Sequence, residues 1–228
     1  MSSSPEPLRN LNHRHTEPHL PPTIPQQLFE EITRREHALT SADLNSLGWK
    51  QALLASQQRQ DHMARLITST ASAGIACQAG CWYCCYFKVE IRSEEALQIV
   101  DFVRENFSPA RAKRLQDDVA DNADALRNMT REQQLTANRK CPFLDDGKCS
   151  IYAVRPARCR TFHAKDVSGC KQAWAEPANL TIPSTLVPEL LYAGEAHLHG
   201  YRQAFTDAGY DNGVSEMNAA LEKALAIS

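Results

Sequence analysis

Apolar residues recur at helical spacing through most of the chain and at strand spacing almost nowhere. Leu28, Ile32 and Leu39 fall on one stripe over residues 26 to 39, and a longer helix is expected from about Ser41 to Thr70. The middle of that helix, Ser56 to His62, is polar enough to be either a solvated face or a break. Farther on, Ser93, Glu94 and Glu95 make a helix start, followed by Ala96, Ile99 or Val100, Val103 and Phe107 at helical intervals. Ser108 and Pro109 suit an N-cap and a first helical residue, and Ala112, Leu115, Val119, Leu126 and Met129 carry the period onward. Near the C-terminus, Val187, Leu190, Leu191, Leu198, Tyr201 and Phe205 form a long helical face. Met217, Leu221 and Leu225 form another, on a helix expected to begin at Ser215.

Three short stretches break this rule. Lys88 to Arg92 alternates like a brief strand. Between Cys141 and Cys149 the pair Asp146-Gly147 signals a tight turn, as in a hairpin or metal knuckle that sets those two cysteines side by side. Arg155-Pro156 opens a helical turn that carries Cys159. No repeat is present, and strands and helices do not alternate as a parallel sheet requires. The expected fold is therefore mainly α: a helical domain over residues 25–228 with an irregular cysteine-rich metal-binding core at 77–170 and at most a short hairpin. Residues 1–24 hold five of the twelve prolines and no hydrophobic period, so a disordered tail is expected there. His13 and His15 on that tail read as solvated rather than as a metal motif.

Composition narrows the function. At 228 residues and 43% hydrophobic, the chain has enough apolar material for a packed core without disulfide support. Its formal net charge of −2 gives no basis for nucleic-acid binding. The N-terminal residues have neither a basic nor an apolar region of the kind a secretion signal needs, and no apolar run reaches membrane-spanning length. A cytoplasmic location without membrane association is expected, with a protein partner left open.

All eight cysteines lie between residues 77 and 170: Cys77, Cys81, Cys84, Cys85, Cys141, Cys149, Cys159 and Cys170. In a reducing compartment clustered thiols bind metal more often than they pair. Thiolates are soft donors that suit zinc and iron, and each must shed a proton to bind. Residues 139 to 171 carry eight basic side chains against three acidic ones, a surplus expected to lower the thiol pKa values. The adjacent Cys84 and Cys85 are awkward for a single ion, because neighbouring side chains leave an extended backbone in opposite directions. A polynuclear cluster or two nearby metals uses all of them more comfortably. Three cysteines in one loop with a distant fourth favour iron-sulfur over zinc. No Ser-His-Asp grouping, phosphate-binding glycine loop or HExxH segment points to a catalytic class.

Cys77-x3-Cys81-x2-Cys84 resembles the triad of radical S-adenosylmethionine enzymes, but the helical pattern and the extra Cys85 depart from that family. A broader likeness comes from Cys77-x3-Cys81-x2-Cys84-Cys85, Cys141-Pro142-Phe143-Leu144, Cys149-Ser150-Ile151-Tyr152 and Arg155-Pro156-x-x-Cys159-Arg160. Together these resemble the YkgJ-type cysteine-cluster family, described as zinc- or iron-chelating. The resemblance implies that the seven cysteines from Cys77 to Cys159 are metal ligands. Cys170, beyond the shared core, is an eighth candidate, with a buried free thiol as the alternative. The implied cofactor is an iron-sulfur cluster of the 4Fe-4S type, or else zinc. Flagellin lysine N-methylases carry a similar block, so a role in protein methylation is a further option. His163 is a candidate second-shell donor or replacement ligand. Phe143, Tyr152 and Phe162 are candidates for an apolar shell around the metal.

Overall fold

The computed structural model describes residues 25–70, 74–183 and 185–227. The expected tail, with His13 and His15, lies outside them. In chain order the described residues form α1 (Gln26–Leu47), α2 (Trp49–Thr70), β1 (Glu90–Ile91), α3 (Ser93–Asn106), α4 (Pro109–Arg127) and α5 (Arg131–Thr136). The hairpin β2 (Leu144–Asp145) and β3 (Lys148–Cys149) follows, then α6 (Ala157–Arg160), α7 (Val167–Ala175), α8 (Pro188–Asp207), β4 (Ser215–Glu216) and α9 (Met217–Ile227). The fold is mainly helical, as the hydrophobic period requires.

Two packed clusters flank the cysteine region. One joins α3, α4 and α9 through Ile99, Val100, Val103, Leu115, Val119, Met217 and Leu221, with Phe143 and Ile151 from the cysteine segments in the same core. The start of α3 is fixed by Glu95, whose carboxylate accepts from the Arg92 amide at 3.0 Å, and that of α4 by Ser108, which accepts from the Arg111 amide. The other cluster sets Leu53 of α2 against Leu198, Tyr201 and Phe205 of α8, with Ala157 of α6 beside them. Antiparallel pairing of β1 with β4 ties the segment after the first cysteines to the start of α9. Ser215 therefore belongs to a strand, and the helix begins two residues later than its sequence suggests.

Helices α1 and α2 depart most from expectation. The break between them falls at Gly48 (φ 78°), not near Ser41. Leu28 and Leu39 are exposed, whereas Glu36 and Thr40 are buried. The Ser56 to His62 stretch is neither a solvated face nor a break, because Ser56, Gln57 and Gln60 are each about 2% exposed within a continuous helix. The cause is a polar seam between α1, α2 and α8. Arg59 donates to both oxygens of Glu36 at 2.8 Å and to Asp43 at 2.7 Å, and Thr40 donates to Glu36 at 2.7 Å. Ser56 bonds His197 at 3.1 Å, Gln57 bonds Gln98 at 2.8 Å and Gln60 donates to the Ala157 carbonyl at 3.1 Å. Burial of these polar groups is tolerated because most of them find partners, although the Oε1 atoms of Gln57 and Gln60 have none. Gly200 lets α1 and α8 close on one another: a Cβ there would sit 2.4 Å from the Thr33 carbonyl oxygen.

Candidate metal centre

The first cysteine loop is shaped by its own backbone. Cys81 donates its amide to the Gln78 carbonyl across Gly80 (φ 93°), and residues Tyr83–Tyr86 then wind into one 3-10 turn. That turn removes the difficulty posed by the doubled cysteines. Because the backbone is coiled rather than extended, the Cys84 and Cys85 thiols hydrogen-bond each other and both face one cavity.

The second segment docks directly on the first, the Cys141 amide donating to the Cys85 carbonyl at 2.7 Å. The hairpin forms as its turn signal predicts, with Asp146 (φ 47°) and Gly147 (φ 75°) in the left-handed region. Its register pairs Cys149 with Leu144 rather than with Cys141, yet both cysteines reach the same cavity. The third segment, α6, is held from behind. Glu95 accepts from the Ala157 amide at 2.8 Å, and Arg160 grips Asp61 of α2 and the Ala153 carbonyl.

These three segments enclose a cavity of about 280 Å³, and its lining includes Cys77, Cys81, Cys84, Cys85, Cys141, Cys149 and Cys159. The eighth thiol, Cys170, stands on α7, half-buried, 3.9 Å from the Thr185 hydroxyl and outside that lining. All eight cysteines are free. Among the described residues, no three His, Cys, Asp or Glu side chains are drawn together closely enough to hold a single ion. The sulfurs are instead spread around the cavity wall. His163 is part of the lining, as are Phe143 and Phe162. Tyr152 also borders the cavity, but it is 64% exposed and carries Arg155 on its ring at 3.8 Å.

The wall also contains groups the cysteine pattern does not reveal. Lys88, Leu126, Gln134, Arg139, Glu216, Met217 and Asn218 come from β1's approach, α4, α5, the segment before β2, β4 and α9. Only chain folding brings Glu216 to the cysteines, and no local signal around residue 216 marks it.

Electrostatics run against the expectation from charge counting. Burial pushes the thiols of Cys77, Cys81, Cys141, Cys149 and Cys159 above their ordinary value. The bond with Cys85, followed by burial, does the same to Cys84. Cys170 is raised by burial to about 11. Arg155 pulls Cys84, Cys149 and Cys159 downward, but desolvation prevails. The cations are already engaged elsewhere: Arg155 and Arg160 with Asp61, and Arg158 with Glu195. Without metal, these seven thiols stay protonated near neutral pH. Cys77 accepts a hydrogen bond from the Ala164 amide at 3.2 Å, an arrangement that favours the thiolate form of this sulfur.

Residues 76–179 match the family model of the CxxCxxCC domain, described as zinc- or iron-chelating. Over this segment the chain is similar to the cysteine-cluster family. The CxxCxxCC match spans somewhat under half the chain and takes in all eight cysteines. No curated protein and no solved structure matches the chain. The CxxCxxCC domain makes metal binding the coarse function, with zinc and iron both admitted by the description. The donor set fits it, because seven soft sulfurs share one cavity with an imidazole. Among the described residues, no helix is long and apolar enough to cross a membrane.

Proposed function

We propose that the CxxCxxCC domain holds an iron-sulfur cluster of the four-iron type, for electron transfer, redox sensing or the upkeep of a partner-binding shape. The observation that carries this reading is the gathering of seven thiols from three separate segments around one cavity of about 280 Å³. A single tetrahedral zinc needs four donors converging within about 2.3 Å of one point. A four-iron cluster also takes four cysteinates, but it sets them around a core of iron and bridging sulfide wider than a single ion, which suits sulfurs spread around a cavity wall. The coiled Cys84-Cys85 pair supports it, since both sulfurs face inward. When bound, the cluster supplies one-electron chemistry. The chain supplies thiolates, the Ala164 amide at Cys77 and the apolar wall of Phe143 and Phe162, which limits water near the centre.

A structural zinc module is the second reading, favoured by the Asp146-Gly147 hairpin, which has the tight turn of a metal knuckle between Cys141 and Cys149. Anaerobic purification separates the two. Brown protein with iron and acid-labile sulfide supports the cluster, and colourless protein with stoichiometric zinc overturns it.

A further inference from the structure

Two buried nitrogens of cavity-lining residues have no hydrogen-bond partner, Arg155 Nε and His163 Nδ1, and of these only the imidazole can ligate a metal. His163 borders the cavity beside the thiols, and its Nδ1 is buried without a hydrogen-bond partner. The buried imidazole of His197 does not share this state: it bonds Ser56 at 3.1 Å through Nε2 and faces Glu36 at 3.4 Å through Nδ1. A desolvated ring nitrogen that forms no bond is unfavourable, so the site is incomplete as drawn by the protein alone.

The backbone holds this ring where a metal centre would meet it. The Val187 amide donates to the His163 carbonyl at 2.8 Å, fixing the segment against the entry to α8. The next residue, Ala164, donates its amide to Cys77 Sγ at 3.2 Å and accepts from the Ala76 amide at 2.8 Å. The peptide carrying His163 is therefore stapled to the loop that carries Cys77, and the ring shares a wall with that sulfur. Neutral imidazole is a good ligand for both zinc and iron, and in some two-iron clusters it replaces thiolate.

We propose that His163 supplies an imidazole nitrogen ligand to the metal centre, making the donor set mixed sulfur and nitrogen. The inference rests on the cavity being a metal site and holds for either metal. A mixed set has a consequence that an all-thiolate set lacks: one fewer negative charge on the centre, which for a redox-active cluster raises its potential.

The test uses the full chain, with histidine labelled by ¹⁵N. It is loaded anaerobically either with Fe³⁺, sulfide and a thiol reductant, then reduced to the paramagnetic state, or with Co²⁺ as the paramagnetic stand-in for zinc. Pulsed electron paramagnetic resonance reads directly bound nitrogen. The wild type should show a strong ¹⁵N coupling, absent in His163→Ala, and His163→Ala should release metal to a chelator about tenfold faster or more. His163→Cys should hold metal as tightly as the wild type without the nitrogen coupling, which excludes misfolding as the cause. A loaded wild type without bound-nitrogen coupling, or His163→Ala with unchanged spectrum and retention, overturns the inference while leaving the metal site standing. Failure of all three proteins to take up either metal overturns both.

Discussion

Cys84 and Cys85 hold the most specific information in the chain, and the 3-10 turn at Tyr83–Tyr86 decides how it is used. Read as extended backbone, the two sulfurs diverge; coiled, they touch and face one cavity. Cys84→Ser should therefore abolish metal retention, whereas Cys170→Ser, outside the cavity lining, should leave metal content within experimental error; elemental analysis of the two variants checks both. The protonation states give a second expectation. Six cavity thiols sit above their ordinary pKa, so at pH 7 each thiolate formed on metal binding releases about one proton. Apparent metal affinity should rise from pH 6 to pH 8, with protons released in a weakly buffered Co²⁺ titration. Affinity independent of pH would contradict the burial argument. For the metal-free fold the sign is opposite. A thiol raised on folding adds stability below its unfolded value near 9, and that contribution is lost as pH climbs through the folded value, about 11 for Cys170.

Helices α3, α4 and α8 are legible in the sequence from their apolar period, as in the run Leu190 to Phe205, and α4 also from its Ser108-Pro109 cap. The cysteine segments are legible from spacing alone. The α1 and α2 faces are not, because what they bury is polar and its partners lie far along the chain. His197 is 141 residues from Ser56, and the Ala157 carbonyl is 97 residues from Gln60. No window on α1 or α2 contains those partners, so the polar face reads as solvated. The cavity's Glu216 and Asn218 escape for the same reason, brought in by the β1–β4 pairing. Two substitutions separate the kinds of packing. Leu53→Ala, in the apolar contact of α2 with α8, should cost about 2–5 kcal/mol of unfolding free energy. Glu36→Gln, which leaves Arg59 without its buried carboxylate, should cost a comparable amount, about 3 kcal/mol or more. Urea unfolding at neutral pH measures both, and an unchanged midpoint for Glu36→Gln would show the seam to be incidental.

In the whole molecule the cysteine core lies between two helical clusters that have apolar cores of their own. Stability should accordingly be uneven on metal removal. The loop around Cys77 to Cys85 and the Cys141 to Cys149 hairpin rely on backbone bonds to each other and on whatever fills the cavity. The α2–α8 contact relies on Leu53, Leu198, Tyr201 and Phe205. Hydrogen exchange after chelation should show faster exchange across residues 76–87 and 141–164 and little change in α3, α4 and α8. Uniform exchange through the whole chain would mean that the metal holds the entire fold. A polynuclear iron centre in a cavity walled by seven cysteines can be read out on anaerobically purified protein assayed for iron, acid-labile sulfide and visible absorption together. Brown protein is expected, with iron and sulfide in near-equal amounts and a broad charge-transfer band that fades on reduction. Colourless protein carrying stoichiometric zinc and no sulfide would contradict it.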